Sequence, residues 1–175
     1  MTAKVVVRVT LVVLSAAILQ RGFFAEVSFA GVQGDVLLLL AIAGGIALGP
    51  DRGAIIGFIS GLIFDLFLYS PLGLRALVFC LVGYVAGRYQ TSVTRSSKGR
   101  MMVTVFIASV LATTALSLVG WVLGQSNMLS GRLPLIVLVI SLINALLSPL
   151  AVGALRWAWE EPRDQAPYGA VSYGR

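Results

Sequence analysis

Residues 53–65 read Gly53-Ala-Ile-Ile-Gly57-Phe-Ile-Ser-Gly61-Leu-Ile-Phe-Asp65, a glycine at every fourth position with a carboxylate at the end. The neighbours of Asp65 are apolar on both sides, with Leu62, Ile63 and Phe64 before it and Leu66, Phe67 and Leu68 after it. An isolated charge in such a setting is too costly to bury, so Asp65 must be exposed, neutralised or paired. On an α-helix a step of four slightly overshoots one turn, so the glycines form a slanted ridge against which a second helix can pack closely. The decisive stretch therefore predicts helix-on-helix packing with one charge at the end of the seam.

The rest of the 175-residue chain agrees, being 58% hydrophobic and 11% charged. A soluble domain carries about 25% charged residues, so the composition indicates an all-α integral membrane protein. The formal charge of +6 does not indicate nucleic acid, because the basic residues fall at the ends of apolar runs, as membrane-flanking charge does. Cys80 is the single cysteine and histidine is absent. This excludes an internal disulfide and argues against zinc sites and histidine-based catalysis. Lys4 and Arg8 precede an apolar run in the outline of a signal peptide, but Ile18-Leu19-Gln20-Arg21 is a poor cleavage site. That run is read as a retained first helix.

Six apolar segments approach the roughly 20 residues that cross a bilayer core. They cover about 4–20, 35–48, 53–69, 72–89, 101–124 and 133–155. The second is short and is extended in expectation back towards Gly31. The stretch 49–53, with Pro50 between Gly49 and Gly53, is expected as a turn, Ser70-Pro71 closes the third segment, and Ser148-Pro149 interrupts the sixth. Residues 21–34 mix Phe23, Phe24 and Phe29 with Glu26, which suits an interfacial segment. Trp157 and Trp159 mark a headgroup level. The organisation is a six-helix transmembrane domain over 1–159 and a cytoplasmic tail over 160–175, expected to be disordered from its proline, glycine and charge.

Basic residues set the orientation. With the N-terminus inside, Lys4, Arg8, Arg52, Arg88, Arg95, Lys98, Arg100, Arg156, Arg163 and Arg175 are cytoplasmic, and only Arg21, Arg75 and Arg132 lie outside. Both termini are then cytoplasmic.

Two constellations carry polar chemistry within the spans. Asp65 and Arg75 flank the turn at Ser70-Pro71 and fall at similar depth if the helices are antiparallel neighbours. An ion pair explains both residues; the alternative has Arg75 snorkelling outward while Asp65 meets a partner protein or ligand. Asn144, with Ser141 and Ser148 one turn away on either side, suits helix–helix hydrogen bonding, and Pro149 frees the carbonyl of Ala145. Gly83 and Gly87 offer a second close-packing face beside Gly53, Gly57 and Gly61. No span holds two carboxylates, and no nucleophile–base pair or phosphate loop occurs, so neither an enzyme nor a resident cofactor or metal is expected.

The pieces Ile18-Leu19-Gln20, Gly34-Asp35 with its leucine run, Gly49-Pro50-Asp51-Arg52-Gly53, Gly57-Phe58-x2-Gly61-Leu62-x2-Asp65, Pro71-Leu72-Gly73-Leu74-x-Ala76-Leu77 and Gly83-Tyr84-x2-Gly87 stand in order from about 18 to 87. In that order and spacing the chain resembles the bacterial rod shape-determining protein MreD family. The resemblance carries the family's aspartate onto Asp65 and its glycines onto Gly57 and Gly61. It implies a non-enzymatic inner-membrane subunit of the cell-elongation machinery, acting with MreC and through it with MreB, the RodA glycosyltransferase and a class B penicillin-binding transpeptidase. It also implies a helical arrangement similar to the substrate-binding S components of energy-coupling-factor vitamin transporters. A small-molecule-binding membrane subunit of that transporter type is accordingly the alternative function.

Overall fold

In a computed structural model the described residues, 3–26, 34–67, 73–92, 98–124 and 133–159, form six helices. These are α1 (Ala3–Glu26), α2 (Val36–Leu48), α3 (Pro50–Phe67), α4 (Leu74–Ser92), α5 (Lys98–Val122) and α6 (Leu133–Trp159). The expected tail over 160–175, the Ser70-Pro71 turn and the connection 125–132 lie outside the described residues. By length and composition, α5 and α6 are each apolar and long enough to cross a membrane.

The centre of the bundle is α2. Every residue from Leu37 to Ile46 is buried, and α2 packs against all five other helices. A helix that is apolar all round must be surrounded on all sides. Its 13 residues reach only about 20 Å at 1.5 Å per residue, short of the roughly 30 Å hydrocarbon core. The expected extension towards Gly31 does not occur: Gly34 and Asp35 are non-helical, and Asp35 caps the first turn. Its enclosure by five longer helices accounts for its apolar character on every face.

The expected five-residue turn at 49–53 contracts to a single residue. Gly49, at φ 93° and ψ 175°, ends α2 in a positive-φ conformation that residues with side chains disfavour. Its carbonyl accepts the first bond of α3, from Gly53 N at 2.9 Å. Pro50 is the first helical residue of α3, where its missing N–H is not needed and its φ suits the helix. Proline here starts a helix rather than interrupting one.

The tightest packing joins α2, α3 and α4, whose backbones touch through glycines. A methyl group placed on Gly61 would lie 2.5 Å from Ala76 Cα, and one on Gly87 would lie 2.5 Å from Pro50 N. On Gly57 it would strike the carbonyl of Phe79, and on Gly45 the carbonyl of Gly83. Gly53 and Gly83 abut in the same seam. Outward, α3 presents Ile55, Phe58, Ile59, Leu62 and Leu66, and α4 presents Leu77, Leu81 and Val85. These exposed apolar faces are what a lipid solvent requires.

Pro149 does not interrupt α6, which runs unbroken past it. The carbonyl that Pro149 leaves free, that of Ala145, accepts a hydrogen bond from Ser148 Oγ at 2.7 Å. The serine hydroxyl thus replaces the missing N–H within the same turn. Ser148→Ala should cost about 1 kcal/mol in the native background and close to nothing once Pro149→Ala restores the N–H. A double-mutant cycle on unfolding in mixed micelles measures the difference; equal costs in both backgrounds would contradict the replacement.

Candidate functional site

Four polar residues from four elements converge at the end of the bundle where α2 and α4 begin. The first four N–H groups of any helix lack partners within it. At the start of α4 the cap position is Gly73, whose carbonyl accepts from Leu77 N at 2.9 Å but which has no side chain to receive the free N–H groups. Asp65, from the last turn of α3, supplies that missing cap. Its Oδ2 accepts from Gly73 N at 2.9 Å, Arg75 N at 3.2 Å and Ala76 N at 3.4 Å. An ordinary cap residue receives the second and third N–H of its own helix; here a neighbouring helix does so. The close approach at Gly61 and Ala76 brings α3 near enough for this.

A second cap faces it. Asp35 Oδ1 accepts from Leu38 N at 2.8 Å at the start of α2. Gln20, on α1, straddles the same start: its Oε1 accepts from Val36 N at 2.8 Å and its Nε2 donates to the Gly34 carbonyl at 2.8 Å. One amide side chain therefore clamps α1 to α2.

Arg75 sits between the two carboxylates. A guanidinium nitrogen lies 3.8 Å from Asp35 Oδ2, and Nε lies 4.0 Å from Asp65 Oδ1. Both separations exceed the roughly 2.7–2.9 Å of a charge-assisted hydrogen bond. Arg75 acts as a nearby charge, while backbone N–H groups make the bonds. Its guanidinium carbon lies 4.3 Å from the centroid of the Phe64 ring, a cation–π contact. Phe64 meets Phe79 edge-on at 6.4 Å, which ties this cluster to the core.

The charges in the cluster nearly cancel. Two carboxylates face one guanidinium and two helix N-termini, each worth about half a positive charge. Asp65, at 1% exposure, is satisfied by the fold itself and has no need of an outside cation. Among the described residues no group of three His, Cys, Asp or Glu side chains assembles that could hold a metal ion.

Asn144 lies elsewhere, in the seam between α5 and α6. Its Nδ2 donates to Ser109 Oγ at 3.1 Å, a fully buried bond between helices. Ser141, one turn away, is equally buried but its hydroxyl has no hydrogen-bond partner among the described residues. Asn144→Ala should therefore cost about 1 kcal/mol, whereas Ser141→Ala should be neutral or slightly stabilising, since it removes an unsatisfied group. Unfolding midpoints of the two variants check this, and an equal loss in both would contradict it.

The structure thus brings Asp65 and Arg75 together and places Asn144 apart from them. Gly53, Gly57, Gly61, Gly83 and Gly87 all lie in the α2–α3–α4 seam. Sequence reasoning passed over Asp35, Gln20 and Ser109. For Asp35 a signal was present, because an aspartate directly before an apolar run is a cap pattern. Gln20 stood in the Ile18-Leu19-Gln20 piece of the family resemblance but without a role, and Ser109 had no signal, since their partners lie 14 and 35 residues away.

Fold and site define an all-helical membrane protein whose buried polar groups serve to join helices. The family model for the rod shape-determining protein MreD matches residues 2–155. The chain belongs to that family, whose members are non-enzymatic, shape-determining proteins of the cytoplasmic membrane. The comparison with curated proteins found no match, and neither did the comparison with solved structures.

Proposed function

We propose that this chain is a scaffold subunit of the cell-elongation complex, crossing the membrane six times and binding MreC. Through MreC it would act with MreB, RodA and a class B penicillin-binding transpeptidase. The family match, which runs from the first helix to Leu155 in the last, carries the reading. The self-neutralised cluster supports it: the carboxylates are engaged with helix N-termini, as a rigid frame requires and a transport site does not.

Both termini are assigned to the cytoplasm. Lys4, Arg8, Arg52, Arg88, Lys98, Arg100 and Arg156 lie at the ends of helices that alternation brings to one side, and basic residues favour the cytoplasmic face. The Asp35–Asp65–Arg75 cluster then lies towards the outer surface. A reporter inserted after Asn127 should be active only outside the cytoplasm, and cytoplasmic activity would overturn the orientation.

Affinity purification of the tagged chain from native membranes, read by mass spectrometry, tests the function. MreC should be recovered with it. Recovery of coupling ATPases without MreC would replace the scaffold reading with a transporter subunit.

A further inference from the structure

Two cation–π pairs stand at the end of the bundle opposite the carboxylate cluster. The Arg52 guanidinium carbon lies 4.4 Å from the centroid of the Trp159 ring, and that of Arg8 lies 5.3 Å from the Trp157 ring. Both tryptophans belong to the last turn of α6, with Ala158 packed inward between them. Residues two apart on a helix point about 200° from each other. The end of α6 is therefore gripped on two sides, by α1 through Arg8 and by α3 through Arg52.

Of the two pairs, Arg52–Trp159 leaves its guanidinium open to the surroundings. Arg52 is exposed and Trp159 beneath it is half-buried. Arg52 has no hydrogen bond or ion pair to another described residue. A guanidinium resting on an indole keeps donors at its edge, and a phosphate oxygen pair matches that edge. In the same turn, the N–H groups of Asp51 and Arg52 have no acceptor within α3. Asp51 is the one described carboxylate among the seven basic residues at this end.

What lies along the helix below Arg52 selects the ligand. Arg52 heads an exposed stripe of α3 that continues through Ile55, Ile59, Leu62 and Leu66, spaced at one face of the helix. A cation at headgroup level above an unbroken apolar stripe is complementary to a phosphate joined to an acyl chain. A free phosphate would use only the top of this surface, and an acidic polypeptide would leave the stripe uncovered.

We propose that Arg52, Trp159 and the first turn of α3 form a binding site for the headgroup of an anionic phospholipid, whose acyl chain lies along Ile55, Ile59 and Leu62. The site is independent of the MreC reading and of the orientation of the chain.

The purified full chain in neutral detergent provides the test, with native mass spectrometry after addition of phosphatidylglycerol or phosphatidylcholine of matched chain length. Phosphatidylglycerol should be retained in preference, and Arg52→Gln should weaken that retention about five- to tenfold, as expected for one cation near a headgroup. Trp159→Leu should weaken it less, and Lys98→Gln, a basic residue on α5, should leave it within about twofold. Equal retention of the two lipids would overturn the site. So would a loss for Lys98→Gln as large as for Arg52→Gln, which would indicate a diffuse positive field. Displacement of the lipid by inorganic phosphate at equal concentration would instead identify a free-phosphate site and overturn the lipid assignment. Each variant is compared at an unfolding temperature matched to the native chain in phosphatidylcholine, and Arg52→Lys, which keeps the charge but not the fork, should fall between native and Arg52→Gln.

Discussion

Gly57→Ala should destabilise the protein by about 1–3 kcal/mol, and Gly61→Ala by a similar amount, although each adds only a methyl group. The added carbon at Gly57 meets the carbonyl group of Phe79, with its carbon at 2.7 Å; at Gly61 it meets Ala76 Cα at 2.5 Å. Backbone atoms cannot rotate away as a side chain can, so α3 and α4 must separate along their length. Separation would also draw Asp65 off the start of α4, because the same approach sets both contacts. Gly153→Ala is the control. That glycine lies inside α6 with nothing within 4 Å of an added carbon, so the change should stay within about 1 kcal/mol and can be favourable through helix propensity. Unfolding of the purified variants in micelles separates the cases. Equal effects at Gly57 and Gly153 would show that the seam is not in backbone contact.

Asp65→Ala should cost more, on the order of 3–5 kcal/mol, since it strands buried groups on both sides of the site. Three backbone N–H groups lose their acceptor, and Arg75 loses one of its two counter-charges. Asp65→Asn keeps one acceptor oxygen and should cost about 1–3 kcal/mol. Arg75→Gln should cost less than either, because the caps on α2 and α4 persist without it. The ordering discriminates between two accounts. If the Arg75 charge were the main support of Asp65, removing either partner would be equally harmful, and the double variant would be little worse than one. If capping dominates, Asp65 variants exceed Arg75 variants, and this is the expected result.

Much of the architecture was legible because lipid imposes a simple rule on sequence. Apolar runs such as 101–124 and 133–155 announce helices directly, and α5 and α6 follow them closely. The glycine ridge was legible for a related reason, since small residues at a spacing of four have few uses in a helix other than close approach. What was hidden depends on contacts distant in sequence. The all-round apolar character of α2 made sense only after five helices were seen around it. Pro50 and Pro149 read as interruptions because local rules count a proline against a helix. One in fact occupies the first turn, where it is tolerated, and the other is repaired by Ser148.

The role of Asp65 was only half visible. Its apolar surroundings demanded a partner, and Arg75 was the available charge in the sequence. The stronger partners are main-chain N–H groups, which every residue carries and no sequence pattern advertises. Gly73 was the hidden clue, a helix start without a capping side chain of its own. The pairing of Arg8 with Trp157 and Arg52 with Trp159 was similarly out of reach, since the partners lie more than 100 residues apart.

The central claim is that Asp65 serves the fold, and that the fold serves cell shape without a ligand at this carboxylate. Cells depleted of the native protein and supplied with the Asp65→Asn variant test it most directly. Expression is raised until the amount of folded protein in the membrane equals the native level, and cell width is then measured. Rod shape should return in proportion to the folded amount, along the same curve as Gly57→Ala. Cells that stay round although Asp65→Asn is folded and abundant would contradict the account, and would make the carboxylate a contact for a partner or a bound molecule.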